Sequence, residues 1–331
     1  RGRTRWRSTA GRTGPNRCST TSPTFRAQDV VRLPPDHPLV ADPALARWAA
    51  HVDAVVPGAS EVRLLRYLPG RRVATLVERA GEPAVVKVFA SPRARGNARR
   101  LAVLARTDAA PLVPEVLGCD PAGHVLALSY RAGLQPADVP HGEYAGHFAS
   151  IGHALRRLHD CGAELDRAWE WTSEVDQLRR HAVPATRPLV EELTTSTRRL
   201  PPADLVPSHR DFHPLQVVLG VDGSVAFIDL DDAAMAPRGL DLGNMLGHLV
   251  REPLIGQRTA HDASAAARAL LAGYGPCPGL DDGVLGGWTA LTVARLAGLA
   301  QSRHGDTAQR DALLEHARAD PARLRDAPAP G

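Results

Sequence analysis

Lysine is almost absent from this 331-residue chain: Lys87 is the only one, and arginine supplies the other 39 basic side chains. Lys87 lies in a short apolar run over 83–89 that is rich in β-branched residues, which predicts a buried strand. Because arginine's planar fork is not equivalent to a compact ammonium on a flexible stem, we interpret Lys87 as a residue that a site requires. One known use is to reach from a strand to the phosphates of ATP. The alternative is a chance lysine whose head extends to water.

Cysteine is also scarce, and the four cysteines are scattered: Cys18, Cys119, Cys161 and Cys277. They form no Cys-x-x-Cys pair and have no nearby histidine at metal-ligand spacing. We therefore expect free thiols in a reducing compartment, without disulfides or structural zinc. The sequence also lacks a signal-peptide core and any apolar run approaching the ~18 residues of a membrane span. We expect a cytoplasmic protein.

Acidic residues are missing from positions 1–28, which carry seven arginines with many Ser, Thr, Gly and Pro. This composition predicts disorder. The net charge of +4 comes from this tail, so the rest of the chain is slightly acidic. A basic tail can bind nucleic acid or an anionic membrane. This tail has only two aromatic residues, Trp6 and Phe25, and it begins with Arg1 and not with Met. We interpret it as an uninformative extension, and expect no nucleic-acid, membrane or obligate protein partner.

Alternation and turn residues predict strands over much of the first half of the chain. The predicted elements are a helix over 44–56, strands over 62–67, 73–78 and 84–89, a helix over 93–106, and strands over 115–117 and 124–130. The three consecutive strands with tight turns are typical of an antiparallel meander.

Helical spacing dominates beyond residue 142, where Phe148, Ile151, Leu155 and Leu158 fall on one helix face. The predicted helices are 143–161, 173–181, 188–199, 242–250, 263–274, 285–302 and 308–319, and a hairpin over 216–228 interrupts them. Strands followed by helices with one embedded hairpin predict an α+β fold in two lobes. We divide the chain into a disordered tail, an antiparallel-sheet N-lobe, a mainly helical C-lobe and a disordered end, at 1–30, 31–133, 134–320 and 321–331.

Two acidic loops flank the predicted hairpin. Gln216 begins the first strand of the hairpin, and Asp211 lies five residues before it. Asp229 and Asp231 follow the second strand. A tight hairpin brings both loops together. Phosphoryl transfer uses such a set: one carboxylate orients and deprotonates an acceptor hydroxyl, a second binds Mg²⁺ on the nucleotide phosphates, and an amide completes the metal ligands.

Each part of this set has a simpler interpretation when taken alone. His209 and His213 around Asp211 are also compatible with capping or core histidines, or with a metal site. The acidic residues over 229–232 are compatible with a solvated turn. The combination of His-x-Asp-x-His, an amide and Ile-Asp-x-Asp favours phosphoryl transfer.

On these residues the chain resembles the aminoglycoside phosphotransferase and choline kinase-like family, which shares the bilobal protein-kinase fold. The resemblance covers roughly residues 60–320. The family carries a strand lysine, a His-Gly-Asp-x-His-x-x-Asn loop, an Ile-Asp-x-Asp/Glu strand end and an Asp-Leu-Ala helix start. The corresponding residues here are Lys87, His-Arg-Asp-Phe-His-Pro-Leu-Gln over 209–216, Ile-Asp-Leu-Asp over 228–231 and Asp-Leu-Gly over 241–243.

The resemblance implies an ATP- and Mg²⁺-dependent kinase acting on a small-molecule hydroxyl. It implies that Lys87 binds the α- and β-phosphates, under the turn at 69–72, and that Asp211 is the catalytic base. The remaining implied roles are metal binding by Gln216, Asp229 and Asp231, nucleotide-base binding near Ser129 and Tyr130, and structural support by His209 and Asp241.

Two departures from the family motif bear on activity. Gln216 replaces the metal-binding Asn and is one methylene longer. The helix after the lysine strand normally supplies a glutamate for the lysine, but 91–107 contains no acid and five arginines, with Asn97 at the aligned position. We expect Lys87 to be unpaired. The alternative function is therefore a catalytically degenerate kinase fold that binds a ligand or partner.

The acceptor is expected to be an aminoglycoside or a related amino-sugar or alcohol. A cationic acceptor needs an acidic pocket, for which the helical lobe offers Glu170, Glu174 and the pair Asp281-Asp282. Three tryptophans could stack on sugar rings: Trp169, Trp171 and Trp288. Surface charge and core packing are the alternative roles for all of them, and a sugar, a choline-like amine or a natural-product intermediate is equally compatible.

Overall fold

A computed structural model describes residues 24–26, 55–57, 61–79, 81–197 and 204–318. Most of the predicted tail, the predicted C-terminal end and all but the last two residues of the predicted helix over 44–56 lie outside these ranges. One difference falls inside the tail: Thr24–Arg26 forms a short strand, β1, where the sequence predicted disorder. It pairs antiparallel with the next strand. An edge strand has free backbone N–H and C=O groups, which explains why a short polar segment can be ordered there.

The N-terminal lobe is built on a six-stranded antiparallel sheet with the order β1-β2-β3-β4-β6-β5. Its further elements are β2 (Glu61–Leu68), β3 (Arg72–Arg79), β4 (Glu82–Phe89), α1 (Ala94–Leu104), β5 (Val116–Cys119) and β6 (Val125–Ser129). The predicted meander, helix and strand pair are therefore confirmed.

Lys87 lies in the centre of this sheet, opposite Ala74 of β3 and Leu126 of β6. Successive residues of a strand point to opposite faces. Val86 packs in the valine-rich cluster on one face, whereas Phe89 packs on the other face together with residues of α1. Lys87 shares the face of Phe89, and its side chain extends from there toward the helical lobe.

The C-terminal lobe is mainly helical, and this confirms the predicted two-lobed α+β fold. Its helices are α2 (His141–Tyr144), α3 (Phe148–His159), α4 (Trp171–His181), α5 (Arg187–Thr197), α6 (Arg238–Leu254), α7 (Ala260–Tyr274), α8 (Asp282–His304) and α9 (Thr307–Arg318). The predicted helix over 143–161 is divided, because a 3-10 turn over 145–147 separates α2 from α3.

Four short strands complete this lobe: β7 (Leu205–Ser208), β8 (Val217–Leu219), β9 (Val225–Phe227) and β10 (Ala234–Pro237). The β8–β9 hairpin was predicted and is confirmed. The antiparallel pair β7–β10 was not predicted, because each strand has four residues and its partner is distant in sequence. This pair holds together the two ends of the segment that contains the candidate catalytic and metal-binding residues.

Helix α8 forms the centre of the helical lobe. It packs against α6 at two glycines: a Cβ atom on Gly243 would lie 2.6 Å from Trp288, and one on Gly247 would lie 2.6 Å from Thr292. By length and composition α8 could cross a membrane, but 78% of its apolar window is buried inside the protein, as is usual for a core helix. Within the described residues, Cys119, Cys161 and Cys277 are free thiols, as predicted.

Candidate active site

Four charged side chains meet between the sheet and the helical lobe. Lys87 Nζ lies 2.6 Å from Asp229 Oδ1 and 2.8 Å from Asp231 Oδ1. Arg72, at the start of β3, donates to both carboxylate oxygens of Asp229, at 2.7 and 3.0 Å, and also to Asp231. Two cations thus balance two carboxylates in a largely buried site, where an unpaired charge is costly.

The charge pairing fixes the protonation states of this cluster. Burial alone lowers the pKa of Lys87, but the carboxylates of Asp231 and Asp229 outweigh burial and raise that pKa above its ordinary value. Burial alone raises the pKa of Asp229, but Lys87 and Arg72 hold it well below its ordinary range. Lys87 is therefore protonated and Asp229 is ionised at neutral pH.

The expectation that Lys87 is unpaired is wrong. Asn97, at the position aligned with the family's glutamate, accepts a hydrogen bond from Arg100 of the same helix. The lysine takes its counter-charges from Asp229 and Asp231 instead. Arg100 also donates to the backbone carbonyl of Asp231 at 3.5 Å. An arginine of α1 thus contacts the carboxylate turn where the family has an acid that contacts the lysine.

Asp229 is held in place through its neighbour Ile228. The Ile228 N–H donates to the backbone carbonyl of Gln216 at 2.9 Å, and His209 Nε2 lies 2.8 Å from the Ile228 carbonyl. Asp229 itself has a left-handed backbone conformation, with φ of 61°. Strained backbone of this kind persists where the surroundings determine it, most often at functional sites. His209 is fully buried.

The loop before Asp211 is fixed by the buried carboxylate of Asp241, at the start of α6. Its oxygens accept from the backbone N–H groups of His209 and Arg210, both at 2.7 Å, and contact His159 at 3.2 Å. Burial alone raises the pKa of Asp241. Hydrogen bonds and nearby charges, of which the bond with His159 is the strongest, nevertheless hold this pKa below its ordinary value. Arg210 has φ of 71°, which explains why the family motif has glycine there.

Asn244 supports the same loop from α6, and the sequence did not single it out. Its Nδ2 donates to the Arg210 carbonyl at 2.9 Å. Its Oδ1 accepts from Thr292 and Arg295 of α8, both at 2.9 Å. The only sequence signal is its position one helical turn after Asp241, which places both side chains under the loop.

Asp211 lies at the open side of this loop, with 48% of its side chain exposed. Its Oδ2 lies 3.8 Å from His213 Nε2. Burial lowers the pKa of His213 to about 4, so the ring is neutral at physiological pH. The amide nitrogen of Gln216 lies 3.2 Å from the same Nε2. Because an amide nitrogen only donates, His213 accepts this bond, and the Gln216 carbonyl oxygen is left for another partner.

The linker carries the residues expected to bind the nucleotide base. Ser129 exchanges two bonds with Glu115, both at 2.9 Å, and Tyr130 is just exposed. Leu134 then pairs with Leu219 through two backbone bonds of 3.0 and 2.8 Å. A Cβ atom on Gly133 would lie 2.3 Å from the Leu219 carbonyl, so glycine is required for the chain to cross here.

Most of the residues suggested for an acceptor pocket have structural partners. Trp169, Trp171 and Trp288 form one edge-to-face cluster, with ring centroids 5.6–6.3 Å apart. Glu174 is buried and accepts from Trp169 Nε1 at 3.4 Å. Asp281 caps the N-terminus of α8 by accepting from the Val284 N–H at 2.9 Å. The tryptophans and Glu174 match the core-packing alternative, whereas the capping role of Asp281 was not predicted.

The chemistry of the donor set fits a magnesium-bound nucleotide. No group of three or more His, Cys, Asp and Glu side chains in the described part of the chain could hold a metal by itself. Asp229, Asp231 and Gln216 offer carboxylate and amide oxygens, which Mg²⁺ prefers and complements with substrate phosphates. The carboxylate pair already attracts two positive charges, from Lys87 and Arg72.

The sequence profile described as "Phosphotransferase enzyme family" matches residues 70–280. This range covers more than half of the chain and includes Lys87, Asp211 and Asp229. The chain belongs to this family, and the resemblance stated from the motifs is confirmed. A search of curated protein sequences finds no match.

Solved structures share the fold. Choline kinase LicA from Streptococcus pneumoniae has a TM-score of 0.63 at 12% identity, over 82% of this chain and 98% of that one. Amicoumacin kinase hAmiN, solved with AMP-PNP, Ca²⁺ and Ami, has a TM-score of 0.61 at 14% identity, over 77% and 87%. An aminoglycoside-3'-phosphotransferase of type VIII has a TM-score of 0.55 at 20% identity, over 76% and 97%. The protein therefore has the two-lobed fold of small-molecule kinases.

Proposed function

We propose that this protein is a cytoplasmic, ATP- and Mg²⁺-dependent kinase that transfers the γ-phosphate to a hydroxyl group of a small molecule. The observation that carries the proposal is the convergence of Lys87 with Asp229 and Asp231 at 2.6–2.8 Å. The lysine comes from the sheet and the carboxylates from the loop after β9. A kinase needs this pairing of phosphate-binding and metal-binding groups across a cleft.

On the donor side, Lys87 and Arg72 bind nucleotide phosphates, and Asp229, Asp231 and Gln216 hold the metal. Bound Mg·ATP supplies the phosphoryl group with its charge partly neutralised. Arg72 gives up its bonds to Asp229 when the nucleotide enters, and it keeps a negative partner because phosphate oxygens replace the carboxylate.

On the acceptor side, Asp211 orients the acceptor hydroxyl and receives its proton. Its exposed carboxylate and the bonds from Asp241 and Asn244 to the preceding backbone suit this role. Because His213 is neutral, it offers no competing positive charge to Asp211 at physiological pH.

The lobe boundary belongs to the same proposal. The N-lobe over 31–133 provides Lys87, Arg72 and the base-binding residues Ser129 and Tyr130, and the C-lobe over 134–320 provides the remaining groups. The Leu134–Leu219 backbone pair lies at this boundary and joins the linker to the hairpin that carries the metal-binding residues.

The fold does not by itself select an acceptor, because the similar structures are kinases named for different compounds. An aminoglycoside or other amino-sugar remains the acceptor implied by the motif resemblance. Two of the four acids on which that expectation depended are engaged elsewhere, Glu174 with Trp169 and Asp281 with the α8 backbone.

The alternative is a catalytically degenerate kinase fold, and one observation favours it: Arg72 and Lys87 already saturate the carboxylates that a metal needs. In that case the cluster is a permanent structural link between the lobes, and Mg·ATP does not displace it.

Thermal melting with and without Mg·ATP separates the two functions. At ~100 times its dissociation constant, a ligand stabilises the fold by about 2.7 kcal/mol. We expect a shift that requires both Mg²⁺ and Lys87, so it disappears in Lys87→Ala and persists in Arg79→Ala, at the exposed end of β3. The absence of any shift at millimolar nucleotide would favour the degenerate fold. ADP release with a panel of alcohols then tests transfer.

A further inference from the structure

Arg295 of α8 is a buried cation beside the catalytic loop. It is 7% exposed, and one guanidinium nitrogen donates to Asn244 Oδ1 at 2.9 Å. Asn244 in turn donates to the carbonyl of Arg210, the residue directly before Asp211. The Arg295 guanidinium is thus connected through a single side chain to the backbone that positions Asp211.

The charge of Arg295 lacks a counter-charge. No carboxylate in the described part of the chain lies within 4 Å of it, in contrast to Arg72, Arg100 and Arg238, which all have one. Its other two guanidinium nitrogens have no hydrogen-bond partner among the described residues, yet neither is a fully enclosed polar atom. They therefore reach solvent. Buried charges in proteins are normally paired, so a site that keeps an unpaired arginine open to solvent favours an anionic ligand.

His181, the last residue of α4, also lies near several arginines. A Cβ atom on Gly298 would lie 2.1 Å from the His181 carbonyl, so α8 touches the end of α4 one turn after Arg295. Burial, followed by the charges of Arg303 and Arg295, lowers the pKa of His181. The weaker contributions come from Arg180 and from Arg71, which belongs to the turn next to Arg72. His181 thus lies among arginines of α4, of α8 and of the turn before β3.

Two stacked histidines, His213 and His248, also lie near Arg295. The rings of His213 and His248 stack with centroids 4.4 Å apart. Burial lowers the pKa of His248 well below its ordinary value, and Arg295 acts in the same direction. The carboxylates of Asp211 and Asp229 also lie near His213, so both charge signs occur on this side of Arg295.

We propose that the acceptor carries an oxyanion, a carboxylate or a phosphate, which Arg295 binds while Asp211 receives the acceptor hydroxyl. This inference rests on the proposed function, because it assigns the acceptor class of the same site. Lys87 and Arg72 serve the nucleotide from the sheet, whereas Arg295 approaches the catalytic loop from the helical lobe. The Arg295 guanidinium repels a cationic acceptor such as an aminoglycoside or a choline-like amine and attracts a hydroxy acid or a sugar phosphate.

The test uses the full chain saturated with Mg·AMP-PNP, so that the phosphate sites of the nucleotide are filled. Inorganic phosphate, acetate and tetramethylammonium are titrated at constant ionic strength, and the melting temperature is followed. We expect saturable stabilisation by phosphate or acetate, and the better of the two indicates the kind of oxyanion. We expect none by tetramethylammonium. Arg295→Met should weaken anion binding roughly tenfold or more, since charge-assisted bonds are lost.

Two variants keep this test decisive. Arg295→Lys retains a charge without the fork and should fold even where Arg295→Met does not, with weaker anion binding than wild type. Arg268→Met, on the exposed side of α7, should bind anions as wild type does. No stabilisation by either anion, stabilisation by tetramethylammonium, or unchanged anion binding in both Arg295 variants would overturn the inference. Failure of Mg·AMP-PNP itself to stabilise the wild type would instead overturn the proposed function.

A turnover experiment on one carbon skeleton gives a second readout. ADP release is compared for glucose, glucosamine, glucuronate and glucose 6-phosphate, which differ in charge. We expect turnover with an anionic member to exceed turnover with glucosamine, and the advantage to shrink in Arg295→Lys. Faster turnover with glucosamine than with both anions would contradict the proposal.

Discussion

Arg72 and Asp229 form a bidentate ion pair across the cleft, with nitrogen–oxygen distances of 2.7 and 3.0 Å between residues 157 positions apart. The pair uses both carboxylate oxygens of a residue that the proposed function assigns to the metal. On the proposed function a metal therefore competes with Arg72 for Asp229, and we expect Arg72 to change partners when Mg·ATP binds.

Arg72→Ala should affect metal and nucleotide in opposite directions. Without nucleotide, Mn²⁺ should bind more tightly, because a cation that competes for Asp229 has been removed. The affinity for Mg·ADP should fall by roughly tenfold, because a phosphate partner has been lost. Isothermal titration calorimetry measures both affinities, and Arg79→Ala is the matched control. Equal effects on both ligands, or none, would mean that Arg72 has only a structural role.

Asp211→Asn should abolish transfer while Mg·ADP affinity stays close to the wild-type value. A general base contributes about 10²–10⁴-fold to a rate, and Asp211 makes no contact with the four-charge cluster. Initial rates of ADP release test the loss of transfer, and titration of Mg·ADP tests the unchanged affinity. Asp108→Asn, an exposed acid in the loop after α1, should leave both unchanged. A wild-type rate in Asp211→Asn would remove Asp211 as the base.

Gln216→Leu should remove much of the difference between nucleotide affinity with Mg²⁺ and with EDTA. Leucine preserves the size of the side chain but offers no oxygen to the metal and no donor to His213. The affinity in EDTA should be unchanged, since Lys87 and Arg72 remain. Gln257→Leu, exposed after α6, is the control. If the affinity with Mg²⁺ equals that of the wild type, Gln216 is not a metal ligand.

Acid should destabilise the protein partly through Asp229. Its folded-state pKa lies well below the ordinary value of about 3.9. The stabilisation from its ionised form is therefore present above about pH 4 and is lost as pH falls through the folded-state pKa. The free energy of unfolding in urea should fall less steeply between about pH 5 and pH 3 in Asp229→Asn than in the wild type. Equal slopes would show that Asp229 is not held ionised by Lys87 and Arg72.

The stability that Lys87 contributes depends on pH in the opposite direction, and it is lost at alkaline pH. Its raised pKa means that its contribution is complete below the ordinary value of about 10.4 and is lost as pH rises through the folded-state value. Between these limits the pair of Lys87 and Asp229 should contribute a stability that does not change with pH.

Most of the fold could be predicted from local patterns. The meander around Lys87, the β8–β9 hairpin and the helices of the second half follow from alternation, turn residues and helical spacing. The strand pair β7–β10 could not, because four-residue strands carry little periodic signal and their pairing depends on distant partners. Strand β1 was missed for the same reason, since its order comes from the free edge of β2.

The sequence by itself determined which chemical groups are present and on which elements they lie. One lysine in a strand, Asp211 before a hairpin and Asp229 after it were sufficient to indicate phosphoryl transfer, because spacing along a strand or hairpin is a local property. Only the tertiary structure decided the partners of these groups. Lys87 pairs with Asp229 and Asp231 because α1 offers no acid, and Arg72 joins them across 157 positions. Arg295, beside the catalytic loop, has no carboxylate of the described residues within 4 Å. Electrostatic pairing depends on distances of a few ångströms between elements, and packing of the two lobes sets those distances.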